Sequence, residues 1–203
     1  MSSRKRKQTQ LASGDNEIRF NRRTKEHSHF SNMFPDVNHN TSGVGHVIVS
    51  FDGKSFPSVE HAYQYAMFKY GVGDPEYATI ISSAASGRNA KEKSSVKRYC
   101  EWKARNSSDT RSKKVLLSLV SEKKKNWRQR EGRRIMEELI ASKYDSATNP
   151  KLFALLQATN DRSLHEVGRP SVWTKAGEDL LGKRVFVFRF GRFEFILFFF
   201  LSC

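Results

Sequence analysis

The run Phe56-Pro57-Ser58-Val59-Glu60-His61-Ala62-Tyr63-Gln64 constrains the fold more than any other part of this chain. It reads as a strand exit, a helix cap and a first helical turn. Pro57 has no N–H to give a strand ladder, and Ser58 is a strong N-cap type. Val59, Ala62, Tyr63, Ala66, Met67 and Tyr70 then recur at helical spacing, which predicts a helix docked on a core by that face. Glu60 falls in the first turn, where the partial positive charge of the helix N-terminus favours an anionic group, and Gln64 shares its face four residues on. A carboxylate in that position serves helix stability as readily as chemistry.

Upstream, Val47-Ile48-Val49-Ser50-Phe51, Asp52-Gly53 and Lys54-Ser55-Phe56 predict a tight hairpin that delivers the chain to Ser58. Residues 1–23 are polar, with the basic cluster Arg4-Lys5-Arg6-Lys7 and no apolar pattern until Ile18 and Phe20, which predicts a disordered arm. The cluster reads equally as a solvated tail, a nuclear address or a nucleic-acid contact.

Downstream, Asp74-Pro75 opens a second, shorter helix through Tyr77 to Ser83. The dense charge over about 97–125 predicts an exposed insertion holding one short helix. Trp127, Ile135, Met136, Leu139 and Ile140 predict an amphipathic helix ending near Lys143-Tyr144, and Asn149-Pro150 caps another that runs to Ala158. Short strands are expected at Leu164 to Val167 and Arg184 to Arg189. The apolar stretch Phe193 to Leu201, within a tail over 190–203, falls well short of the roughly 20 residues of a membrane span.

A length of 203 residues with 37% hydrophobic content suits one domain with ragged ends, here about 24–189. The formal charge of +15 calls for an anionic partner: nucleic acid, a phosphorylated small molecule or an acidic surface. Cys100 and Cys203 imply no disulfide framework, and no apolar signal segment follows the basic start, so an intracellular, cytoplasmic setting is expected. Without HExxH, paired CxxC, GxGxxG or Walker patterns, neither a metal nor a tightly bound nucleotide cofactor is expected. No membrane or obligate protein partner is expected either.

Further motifs join the first: Phe30-Ser31-Asn32, Ala90-Lys91, Trp127 with Met136, Lys143-Tyr144, Leu155-Leu156-Gln157-Ala158-Thr159, Glu166, Trp173 and Leu181-Gly182-Lys183. In order and approximate spacing they resemble the NADAR family, also called YbiA-like, over about Phe30 to Arg189. The resemblance implies an α+β fold, a single mainly helical domain with a small sheet. It also implies a hydrolase that cleaves an N-glycosidic bond. The substrates it implies are ribosylamino-pyrimidine phosphates of early riboflavin synthesis, or ADP-ribose on guanine in nucleic acid. Both are anions, and the charge excess leans toward the nucleic-acid version.

Such hydrolysis builds oxocarbenium character at the sugar carbon, so the site needs a carboxylate, cations for phosphate and an aromatic platform for the base. On that resemblance Glu60 is the carboxylate. Lys143 or Lys91 holds phosphate or attacks the sugar carbon as an amine, and Trp127 or Trp173 stacks on the base. Asn32 and Glu166 orient ribose or base, and His61 lines the site. The residues themselves leave alternatives open. Trp127 and Met136 also fit a helix core, Lys143 suits a helix C-terminus, and His61 can pack rather than transfer protons.

The sequence departs from the family pattern after Glu166. Arg169-Pro170-Ser171-Val172-Trp173-Thr174-Lys175-Ala176-Gly177-Glu178-Asp179 lacks the Asp before the Trp, has Thr174 in place of a Gly and Asp179 in place of an Asn, and shortens the loop. Ser94 likewise stands where relatives often have Gly. Those changes favour, as the alternative, a catalytically impaired module that binds ADP-ribose or nucleic acid. Fold-only resemblance is the third reading.

Overall fold

The computed structural model describes residues 17–20, 27–35, 44–108, 111–160, 162–166, 174–175 and 178–179. Among them the fold is mainly helical, with strands paired in three short ladders. Strand β1 (Glu17–Phe20) leads to a 3-10 turn (Ser28–Phe30), and then to the hairpin of β2 (Val49–Phe51) and β3 (Lys54–Phe56). Helix α1 (Val59–Ala66) continues without a break into a π-helical turn (Met67–Val72). There follow α2 (Pro75–Ser82), α3 (Gly87–Lys93), α4 (Val96–Asn106), α5 (Lys113–Gln129), α6 (Glu131–Lys143) and α7 (Pro150–Gln157). Strands β4 (Ser163–Glu166), β5 (Thr174–Lys175) and β6 (Glu178–Asp179) complete the described chain. No helix among the described residues is long and apolar enough to cross a membrane.

The hairpin forms as its turn chemistry demands. Asp52 at φ 55° and Gly53 at φ 68° supply the two left-handed positions of a two-residue connection, and Val49 pairs with Phe56 across it. Helix α1 forms the centre of the molecule: all eight of its residues are buried, and it packs on the hairpin and on α2, α3 and α6. Its C-terminal extension is π-helical, and that adds a residue to the turn. Tyr70 is therefore carried off the buried face where simple helical spacing would put it, and is 49% exposed.

Two sequence expectations are corrected here. Residues 17–20 are not part of a disordered arm: they form β1, which pairs in parallel with β4 from Glu17–Ser163 to Phe20–Glu166 and buries Ile18 and Phe20. Two apolar residues in alternation are too short a signal without the partner strand. The charged stretch 97–125 is not an exposed insertion either, because it builds α4 and most of α5. Leu116, Val120, Lys124 and Trp127 recur at intervals of three and four along the buried face of α5, and the charges occupy its other faces. Trp127 therefore closes α5 rather than opening the next helix. The chain breaks at Arg130 (φ −100°, ψ −85°) before α6. The strand expected at Arg184 to Arg189 and the tail at 190–203 lie outside the described residues.

Candidate functional site

Ser58 adopts an extended conformation (φ −160°, ψ 161°), and its Oγ accepts the His61 backbone N–H at 3.4 Å, so the predicted cap sets the start of α1. Glu60 follows in the first turn, and its backbone N–H donates to the carbonyl of Asn32 at 2.9 Å. The turn that carries Asn32 is thereby fixed to the end of α1. Gln64, one helical turn on, donates from Nε2 to Glu60 Oε1 at 2.8 Å. Lys91, on α3, places Nζ 4.0 Å from the same oxygen. The Glu60 side chain is 10% exposed and that of Lys91 59%, so a mostly buried carboxylate meets a solvent-side cation. The helix end, the Gln64 amide and the Lys91 ammonium all present positive charge to Glu60.

Gly87 explains how α3 comes so close. A Cβ there would lie 3.1 Å from Ser58 Oγ, 3.4 Å from Glu60 Cβ and 3.4 Å from Met33 Cα. Asn32 Nδ2 reaches the Met136 sulfur at 3.5 Å, so α6 also supports the 27–35 segment.

Lys143 is engaged by the turn that carries Asn32. It is 1% exposed, and its Nζ donates to the carbonyls of His29 at 2.7 Å and Ser31 at 2.8 Å. As placed, it braces the turn that presents Asn32, and a nucleophilic amine would have to leave both carbonyls. His29 in that turn is itself constrained: burial, Lys143 and His27 together push its imidazole down to about 4.

His61 is fully buried, with Nδ1 2.8 Å from Ser58 Oγ and Nε2 2.9 Å from the Ala84 carbonyl. A carbonyl only accepts, so Nε2 carries the hydrogen and Nδ1 accepts the Ser58 hydroxyl. The imidazole thus ties α1 to the segment before α3. Trp127 is 6% exposed and packs on Tyr63 with ring centroids 5.2 Å apart. Burial and the negative charge of Glu60 raise the Tyr63 hydroxyl far above its ordinary value, against an opposing pull from Arg128. Glu166 pairs through its backbone with Phe20 at the end of β4. Trp173 lies outside the described residues.

Asn32, Glu60 and Lys91 are thus brought together, with Gln64 and Gly87 completing the arrangement. Gln64 was legible as the residue sharing Glu60's face. Gly87 was not singled out, although Ser86-Gly87 carries the signal of a cap beside a close approach.

The NMR structure of the E. coli protein YbiA matches this structure with a TM-score of 0.53, over 90% of this chain and 88% of that one. The chain has the YbiA fold. The two sequences are 20% identical, so the likeness to YbiA is one of fold. No family model matches the chain, and no curated protein does.

Proposed function

We propose that the chain is an N-glycosidase that hydrolyses the bond between a base and a phosphorylated ribose, with Glu60 as its essential carboxylate. The observation that carries this reading is the Glu60 carboxylate itself, mostly buried, bonded to Gln64 and 4.0 Å from the solvent-side ammonium of Lys91. The YbiA fold and the motif resemblance over Phe30 to Arg189 support it.

In this reading Glu60 faces the sugar carbon. As the C–N bond lengthens, its electron pair goes to the base nitrogen, which takes up a proton. The carboxylate stabilises the oxocarbenium charge and accepts a proton from the water that attacks. Lys91, exposed and beside Glu60, holds the phosphate. Asn32 hydrogen-bonds the ribose, while Lys143 and His61 act as positioning residues for the turn and for α1. Glu166 and Trp173 take the remaining ribose and base contacts, as the motif resemblance implies. The substrate is a ribosylamino-pyrimidine phosphate or an ADP-ribosylated guanine.

Mass spectrometry of reactions with each substrate tests the assignment. Free base should appear with the wild type and fall by about 100-fold or more with Glu60→Gln, which keeps the size of the side chain and removes its charge. Release that persists in the variant overturns the mechanism. No release from either substrate, with saturable and salt-sensitive binding, overturns the enzyme in favour of the binding module that the altered 169–179 region suggests.

A further inference from the structure

Helix α4 forms a ridge between two clefts that the Glu60 site does not use. On one flank a cleft of about 440 Å3 opens toward α2 and α3, and on the other a cleft of about 300 Å3 opens toward α5. Arg98, Glu101, Trp102 and Arg105 follow at i, i+3, i+4 and i+7, so one stripe of α4 lines the larger cleft. Glu101 and Arg105 border both clefts.

The two clefts differ in chemistry. The larger one has an aromatic wall: Trp102 lies 5.0 Å from Tyr77 and 6.2 Å from Tyr99 between ring centroids, stacked on the latter at 30°. The Tyr77 hydroxyl donates to the Lys93 carbonyl at 2.7 Å, and the Tyr99 hydroxyl to Asp74 at 3.0 Å, so the wall is held rigidly. Asn89 and Asn106 add amides. Asn106 spends Nδ2 on the Trp102 carbonyl at 2.8 Å, a bond that leaves its amide oxygen as an acceptor. Of the two acids at this cleft, Glu92 is bonded to Arg88 at 3.0 Å. The smaller cleft is basic. Lys103 is tied to Asp74 at 2.9 Å, so Arg105, Arg111 and Lys113 carry the positive charge that faces it, against one carboxylate among its lining residues, Glu101.

We propose that the two flanks of α4 form one binding surface for single-stranded nucleic acid. A base stacks on Trp102 between the Asn amides, and the neighbouring phosphates cross Arg105 into the basic cleft. An aromatic platform flanked by a cationic track is the chemistry that holds an unpaired strand, whereas a duplex keeps its base faces stacked and out of reach of Trp102. The surface also gives a use to the dense charge over 97–125, which the Glu60 chemistry leaves unexplained.

The test is fluorescence anisotropy of a labelled oligothymidylate on the order of ten nucleotides, titrated with full-length protein over a salt series. The wild type should bind with affinity that falls as salt rises. The surface double variant R105E/K113E should bind more weakly, with a salt slope flatter by about 0.7 for each phosphate contact removed. R134E, which changes charge on exposed α6, should bind like the wild type. W102A should lose roughly tenfold and W102F less, both with a wild-type circular dichroism spectrum. The proposal is overturned if R105E/K113E binds no worse than R134E, or if a duplex of the same length binds as tightly.

Discussion

Glu60 and Lys143 are both ionisable side chains shielded from water, but they are satisfied in different ways. Glu60 keeps one helix neighbour and one solvent-side cation, an arrangement open to a ligand. Lys143 is spent on two backbone carbonyls, with the Tyr144 ring 5.1 Å from Nζ. Charge-assisted bonds of that kind, lost together, leave two carbonyls unsatisfied. Lys143→Met should therefore destabilise the protein by about 2–4 kcal/mol in urea unfolding. It should lower the stability of the 27–35 turn, read by amide exchange of Ser31 and Asn32, more than that of α2.

The π-helical turn packs closely on α5, and that junction depends on Gly71 having no side chain. A Cβ there would lie 2.7 Å from Trp127 Cγ and 2.8 Å from Trp127 Cβ. Trp127 is already pinned by Tyr63 and by Gly132, whose own Cβ would meet the indole at 3.3 Å, so the ring has little room to move. Gly71→Ala should cost about 1–3 kcal/mol and lower the thermal midpoint, whereas alanine at exposed Lys114 should be close to neutral. The hairpin is anchored by polar groups instead. Asp52 accepts from Tyr65 at 2.8 Å and Tyr70 at 2.7 Å and pairs with Lys69, and the Lys69 ammonium, then Tyr70, hold its carboxyl down to about 2.

Over the described residues, Lys124 joins Lys143 as a buried lysine whose ammonium is held by backbone carbonyl oxygen. Its Nζ donates to the Ser94 carbonyl and lies 5.0 Å from the centroid of Phe68, joining α5 to the end of α3 and the π-helical turn. Burial, with Arg128 nearby, pushes the ammonium down to about 7. Between that value and the ordinary 10.5 the unfolded chain binds the proton and the folded one does not, so folding is favoured increasingly as pH rises through this window. Urea unfolding at pH 7.5 and 9.5 should show the wild type gaining about 1–3 kcal/mol over that interval relative to Lys124→Met. An equal pH dependence in both proteins would place the proton elsewhere.

What the chain determined by itself is local. Asp52-Gly53 set the hairpin, Ser58 set the start of α1 and the position of Glu60, and Pro150 opens α7 at its first position, because turns and caps depend on backbone angles and hydrogen bonds within a few residues; the Asn149 side chain, expected as the cap of α7, makes no capping bond and is turned to the backbone of Ile48 instead. The Glu60 to Gln64 bond was legible for the same reason. Tertiary structure decided the rest. Ile18 and Phe20 become a strand only because β4 lies beside them. The charge of 97–125 hides two amphipathic helices whose apolar stripes are sparse until they are packed on α2 and the π-helical turn. Trp127 and His61 are drawn into the interior, and Lys91 meets Glu60 only because Gly87 lets α3 approach. Such contacts join residues far apart in sequence, and their strength depends on burial and orientation, which appear only once the helices are assembled.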